Sequence, residues 1–124
     1  MDEISTDAAP ASIGPFSQGI SDGSNVYVSG QGPIDPETGD VVGDDIRTQT
    51  ARTLDNVDAV LKAGGLSLED VVKATVFLTD VADYDDVNDV YADYVTRPFP
   101  ARSAVQVSAL PIDIRVEIEV VATY

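Results

Sequence analysis

The chain is 124 residues long and 44% hydrophobic, with twenty-two acidic side chains against seven basic ones and a formal charge of −15. That length suits one domain around a single core, and the charge repels phosphate backbones and anionic lipid surfaces. Neither cysteine nor histidine occurs, which excludes thiolate nucleophiles, imidazole bases, Ser-His-Asp triads and Cys/His zinc sites.

In chain order, the N-terminus lacks the basic start and apolar stretch of a secretion signal. No later run is apolar enough to span a bilayer, so a cytoplasmic protein is expected. Residues 25–31 (NVYVSGQ) follow the turn-like Ser21-Asp22-Gly23-Ser24, are rich in β-formers and stop at Gly32-Pro33, which predicts a strand. DPETGD (35–40) places Pro, Gly and Asp as a tight turn needs them. With Asp44 or Asp45 as N-cap, Ile46, Thr50, Leu54, Val57 and Leu61 recur at helical spacing until Gly64-Gly65, predicting a helix over 46–63. VVKATVFLT (71–79) is dense in β-branched residues and reads as a central strand with Val72, Ala74, Val76 and Leu78 on one face.

Tyr84, Val87, Tyr91 and Tyr94 mark a second helix over 83–95, its aspartates on the outer face, which Pro98 and Pro100 prevent from continuing. Residues 101–109 and 114–124 read as two strands around the turn at Leu110-Pro111-Ile112-Asp113. This order gives one α+β or α/β domain over residues 1–124, with two helices covering one face of a sheet. Strands 71–79 and 115–124 are apolar on both faces, so the second sheet face is expected to be buried in a homo-oligomer.

Catalysis in this chain must use carboxylate, guanidinium, amide, hydroxyl, backbone or water. DYDDVNDVYADY (83–94) lacks the central glycine and closing glutamate of a calcium loop. Nothing around Lys62 or Lys73 supports a phosphate site for a Schiff-base cofactor, so both read as solvated charges. Period two places Arg102, Ala104 and Gln106 on one side of their strand, and Arg115, Glu117 and Glu119 on one side of the last. Glu117 and Glu119 fit a polar outer face, and Arg102 an edge charge or ion-pair partner. A second reading is that Pro100 stiffens the approach to Arg102, whose guanidinium then grips a small carboxylate through two parallel hydrogen bonds.

IGPFSQG (13–19), VSGQGPIDPETG (28–39), TLDNVDAVLKAGG (53–65), VVKATVFLTD (71–80), VNDVYADY (87–94), PARSAVQVSALP (100–111) and RVEIEVVA (115–122) together resemble, in order, the Rid (YjgF) family of reactive-intermediate deaminases. The resemblance spans about residues 4–123 and implies a chorismate-mutase-like α+β fold, a mixed sheet with two helices packed on one face. It further implies a homotrimer with its sheets facing the centre, active sites in clefts between subunits, and no cofactor or metal. The implied reaction is hydrolysis of short-lived enamines and imines, such as 2-aminoacrylate and 2-iminobutanoate, to 2-keto acids and ammonia.

By the same resemblance, the carboxylate-binding arginine falls on Arg102 and the family's late glutamate on Glu117, the two facing each other across a pocket. Asn88 and Ser29-Gly30-Gln31 fall around the ligand. Phe16 stands where active members often carry tyrosine, leaving ring packing without a hydroxyl. Ala104 replaces a frequent cysteine at a position implied to contribute its backbone carbonyl. The alternative is a non-catalytic trimer that binds 2-keto acids or similar carboxylates between subunits as a sensor or partner protein; an acid beside Arg102 favours the enzyme. Nucleic acid, on which some relatives have been credited with acting, is opposed by the charge, and no membrane partner is expected. The acidic, lysine-poor surface resembles that of proteins from salt-loving organisms, where molar salt shortens the Debye length to about 3 Å.

Overall fold

A computed structural model of the chain describes residues 1–124. The capping and glycine signals of the first helix act as their chemistry dictates. The Asp45 carboxylate accepts the Thr48 N–H at 3.0 Å, satisfying one of the donors a helix start leaves unpaired. The helix, α1 (Ile46–Ala63), stops where the Gly64 N–H turns back to the Val60 and Leu61 carbonyls and Gly65 takes φ +85°. Its buried face carries Ile46, Thr50, Leu54, Val57 and Leu61 with Gln49, Thr53, Asn56 and Val60. A Leu or Val buried so fully contributes about 1.5–3 kcal/mol.

Six strands form one sheet: β1 (Asp2–Ile4), β2 (Gly19–Ser21), β3 (Asn25–Gln31), β4 (Val71–Leu78), β5 (Ala101–Gln106) and β6 (Val116–Thr123). Their spatial order is β1-β2-β3-β6-β4-β5. Every pair is antiparallel except β4 with β5. That parallel pair needs a crossover, which the second helix, α2 (Tyr84–Tyr94), supplies. Both helices lie on the face presenting Val26, Val28, Ala74, Val76, Leu78, Val116, Ile118, Val120 and Ala122, which with them form the core. The opposite face has no cover over Tyr27, Phe77, Val105 and Val121, set among Lys73, Thr75, Ser103, Glu117 and Glu119.

Four expectations need correction. Val72 is exposed while Val71, Ala74, Val76 and Leu78 are buried, because the register steps from Val71 opposite Ala122 to Lys73 opposite Val121 and leaves Val72 as the extra residue of a bulge. Tyr84 lies outside the core at 40% exposure, so α2 buries Val87 and Tyr91. Asp83 is not on the outer coat: it is buried and receives both of its contacts from Arg115 Nη2, at 2.8 and 3.0 Å, tying the start of α2 to the approach of β6. The last two strands are shorter than predicted, since the Val107 N–H makes the final bond to the Leu78 carbonyl before the chain leaves the sheet, and the Arg115 N–H donates to Gln49 Oε1 instead of to a strand. No helix is long and apolar enough to cross a membrane.

Candidate active site

Arg102 sits near the start of β5, the last strand of the sheet, after a Pro98-Phe99-Pro100 segment that cannot extend α2. Its register partner is Ala74, which puts its side chain on the helix-covered side. There the guanidinium lies 4.7 Å from the Tyr91 ring centroid and 5.6 Å from that of Tyr84. Contacts of this type are worth about 0.5–2 kcal/mol and hold the group in place. Nη2 donates to Asn88 Oδ1 at 2.6 Å and to the Tyr84 hydroxyl at 3.3 Å. Arg47, Lys62 and Arg115 have carboxylate partners; Arg102, like Arg52, Lys73 and Arg97, has none, and its Nε and Nη1 meet no protein acceptor. The hydrogen bond with Asn88, then the hydrogen bond and charge of Arg102, hold the Tyr84 phenol below the ordinary tyrosine range. Ala104 follows on the same side, opposite Val76.

Glu117 belongs to β6 with Phe77 as register partner, on the face away from the helices. It lies against Gly30, where β3 bulges between Val28 and Gln31. A Cβ at position 30 would overlap the Glu117 carboxylate, so only glycine admits that approach. Burial lifts the Glu117 carboxyl above the ordinary glutamate range, and the charge of Glu119 adds to the rise. Ser29 Oγ donates to the Ser17 carbonyl at 2.6 Å, and the Ser29 N–H to that of Gln18 at 3.0 Å. These bonds fasten the chain carrying Phe16, itself 52% exposed, to β3. A hollow of about 270 Å³ opens beside them, with Ser17, Ser29, Tyr27, Glu119 and Val121 in its wall. A larger one, about 380 Å³, involves neither Arg102 nor Glu117, and its Glu3, Asp7 and Glu37 repel anions.

The structure therefore makes two groups of the expected residues. Arg102, Asn88 and Ala104 share the helix-side rim; Glu117, Gly30, Ser29 and the Phe16 segment share the open face. Gln31 joins neither, being buried opposite Ile118 in the core register. The expectation that Arg102 faces Glu117 fails within one chain, because the two side chains leave the sheet on opposite sides.

Two residues of the Arg102 group escaped the sequence reading. The pattern gives Tyr84 and Tyr91 only as markers of the second helix, although their spacing with Asn88, four and then three, is the available signal. A third, Asn56, is fully buried on α1 and donates to the Gly32 and Ile34 carbonyls at 2.9 Å each. It fixes the turn that follows Gly30; an asparagine next to Val57 on the helix face that carries Leu54, Val57 and Leu61 is its signal.

The family described as Endoribonuclease L-PSP matches residues 6–124. The chain belongs to this family, also known as the Rid or YjgF family. A RutC family protein of Pyrococcus horikoshii is 50% identical over 119 residues, 96% of this chain and 94% of its own. The 2-iminobutanoate/2-iminopropanoate deaminase of Salmonella typhimurium is 47% identical over 122 residues, again 96% and 94% of the two chains. The crystal structure of Escherichia coli TdcF with bound serine matches with TM-score 0.95 at 42% identity, covering 100% of this chain and 99% of that one. The mixed sheet with two helices on one face is thus the Rid fold, as the sequence resemblance implied.

Proposed function

We propose that this Rid chain hydrolyses carboxylate-bearing enamines and imines, the 2-aminoacrylate and 2-iminobutanoate class, to 2-keto acids and ammonia. The observation that carries this is Arg102: on a chain of charge −15 it is a half-buried guanidinium without a carboxylate partner, with Nε and Nη1 open. Such a group is suited to an anion from outside the chain. The name of the 47% identical Salmonella deaminase supports the reaction, and serine, described in the E. coli TdcF structure, carries a carboxylate of the same kind.

Arg102 and Glu117 lie on opposite sides of one sheet, and the open face leaves Tyr27, Phe77, Val105 and Val121 uncovered. We infer that the site is completed between copies, Arg102 from one and Glu117 from its neighbour, in the homotrimer the resemblance implies. In that arrangement Arg102 holds the carboxylate and places C2. An enamine first takes a proton at C3 and gives up one from nitrogen to become the imine. The Glu117 carboxyl protonates the imine nitrogen; its carboxylate then removes a proton from the water that attacks C2. Glu117 passes the proton it took from water to the carbinolamine nitrogen, and collapse breaks the C–N bond and releases ammonia as the hydroxyl proton is lost, leaving the keto acid. Proton transfer of this kind contributes about 10²- to 10⁴-fold, most when the pKa nears the working pH, which is the direction in which burial moves Glu117. Asn88 and backbone groups near Gly30 and Ala104 would orient water and the leaving amine, with Phe16 packing beside them.

A pure carboxylate sensor needs the arginine but gains nothing from a second acid held half-buried, so Glu117 favours catalysis. The family's ribonuclease description sits poorly with −15 charges facing an RNA backbone. The deciding experiment generates 2-iminobutanoate from threonine with a dehydratase while semicarbazide traps it. Adding the protein restores 2-ketobutyrate formation; no restoration at stoichiometric protein overturns the assignment.

A further inference from the structure

The five tyrosines differ in what their hydroxyls do. Tyr27 donates to Asp22, Tyr94 to Asp55 and Tyr124 to the Gly64 carbonyl. The Tyr91 hydroxyl is buried without a partner, its ring under the Arg102 guanidinium. Tyr84 differs from all of them: its hydroxyl accepts from Arg102 at 3.3 Å, while no protein group takes its proton. At 40% exposure it is also open to a ligand.

We propose that Tyr84 is a second carboxylate-binding residue of the site, its hydroxyl donating to an oxygen of the same carboxylate that Arg102 grips. The inference rests on the reading of Arg102 as the carboxylate anchor. A guanidinium offers paired N–H groups along two edges, Nη1 with Nη2 and Nε with Nη2, so a carboxylate held by two parallel bonds must use Nη2. Nη2 is the nitrogen already engaged by Asn88 at 2.6 Å and Tyr84 at 3.3 Å. The longer contact is the one that yields. An oxygen arriving there stands beside the Tyr84 O–H, which passes from accepting the arginine's hydrogen to donating its own.

The surroundings suit that donor. The Asn88 side chain, then the hydrogen bond and charge of Arg102, make the phenol more acidic against the opposing effects of desolvation and Asp85, and a more acidic O–H forms the stronger bond to an anion. The consequence is selectivity, since a site with both donors gives up affinity for ligands that lack the carboxylate.

The test is titration calorimetry of the full chain with 2-oxobutanoate, for wild type, Tyr84→Phe and Arg102→Ala. Tyr84→Phe removes only an exposed hydroxyl, and an unchanged melting temperature confirms that it folds. The expected result is a roughly 10-fold rise in Kd for Tyr84→Phe, the size of a hydrogen bond to a charged group, with KM rising alike and kcat held within about twofold. Arg102→Ala abolishes binding. A Tyr84→Phe Kd equal to wild type while Arg102→Ala abolishes binding overturns the role of Tyr84 and leaves the anchor standing. Equal binding by wild type and Arg102→Ala, or none by either, overturns both.

Discussion

Gly30→Ala separates the stability of this fold from its chemistry. The added Cβ would stand 2.8 Å from Glu117 Cδ and 3.1 Å from its Cγ. Unbonded carbons prefer about 3.5–4.0 Å, so the carboxyl carbon must retreat by about 1 Å. The backbone at Gly30 is not left-handed, and the colliding atoms are the end of a flexible side chain, so folding is little affected. Reduced freedom of the unfolded chain even returns about 0.4–1 kcal/mol. Catalysis is affected far more, because a 1 Å misplacement of a reacting group costs about 10²-fold. The dehydratase-coupled assay should therefore show kcat/KM down by about 10²-fold, with the unfolding free energy from urea titration within about 0.5 kcal/mol of wild type. Full activity would refute the placement of Glu117 at the reacting centre. Loss of fold would refute the claim that Gly30 serves the carboxylate and not the strand.

Other consequences concern charge. The Glu117 carboxyl is raised in the folded chain, so its contribution to stability is full below the unfolded value and lost as pH rises through the folded one. Wild type should gain stability relative to Glu117→Gln as pH falls across that window; parallel melting curves would contradict the burial of Glu117. Asp83→Asn strips Arg115 of its carboxylate and should destabilise by about 1.5–3 kcal/mol in urea, while a loss under about 0.5 kcal/mol would mean that the pair behaves as a surface contact. With a charge of −15, the melting temperature should rise from dilute buffer to molar KCl as self-repulsion is screened. An unchanged value contradicts that.

What the sequence disclosed depended on how local the determinant was. The helix over 46–63 was legible to the residue, because cap, spacing and terminal glycines all lie within it. β1 and β2 were not, since three residues cannot display a period and they are held by pairing with β3. The bulge at Val72 was invisible for another reason: Val71 and Val72 are chemically identical, and only Ala122 across the sheet decides which one turns inward.

The two sides of each strand were legible, but not how the sides of different strands correspond. Glu117 alternates with Val116, Ile118 and Val120, which already marks it as facing away from the core. On β5 the only β-branched side chain, Val105, lies opposite in parity to Arg102, so pattern alone would turn Arg102 outward. Tertiary contact with Tyr84, Asn88 and Tyr91 turns it inward. The family motifs single out both residues as candidates, yet the strand registers separate them.

That separation makes subunit mixing the sharpest measurement. Arg102→Ala and Glu117→Gln chains, each expected to be inactive alone, are unfolded together at equal concentration and refolded into mixed assemblies. If each site takes Arg102 from one copy and Glu117 from the next, random mixing restores about a quarter of the sites, and imine hydrolysis returns to about that fraction of wild type. Activity no higher than that of either variant alone, in assemblies proven to be mixed, would contradict a site shared between copies.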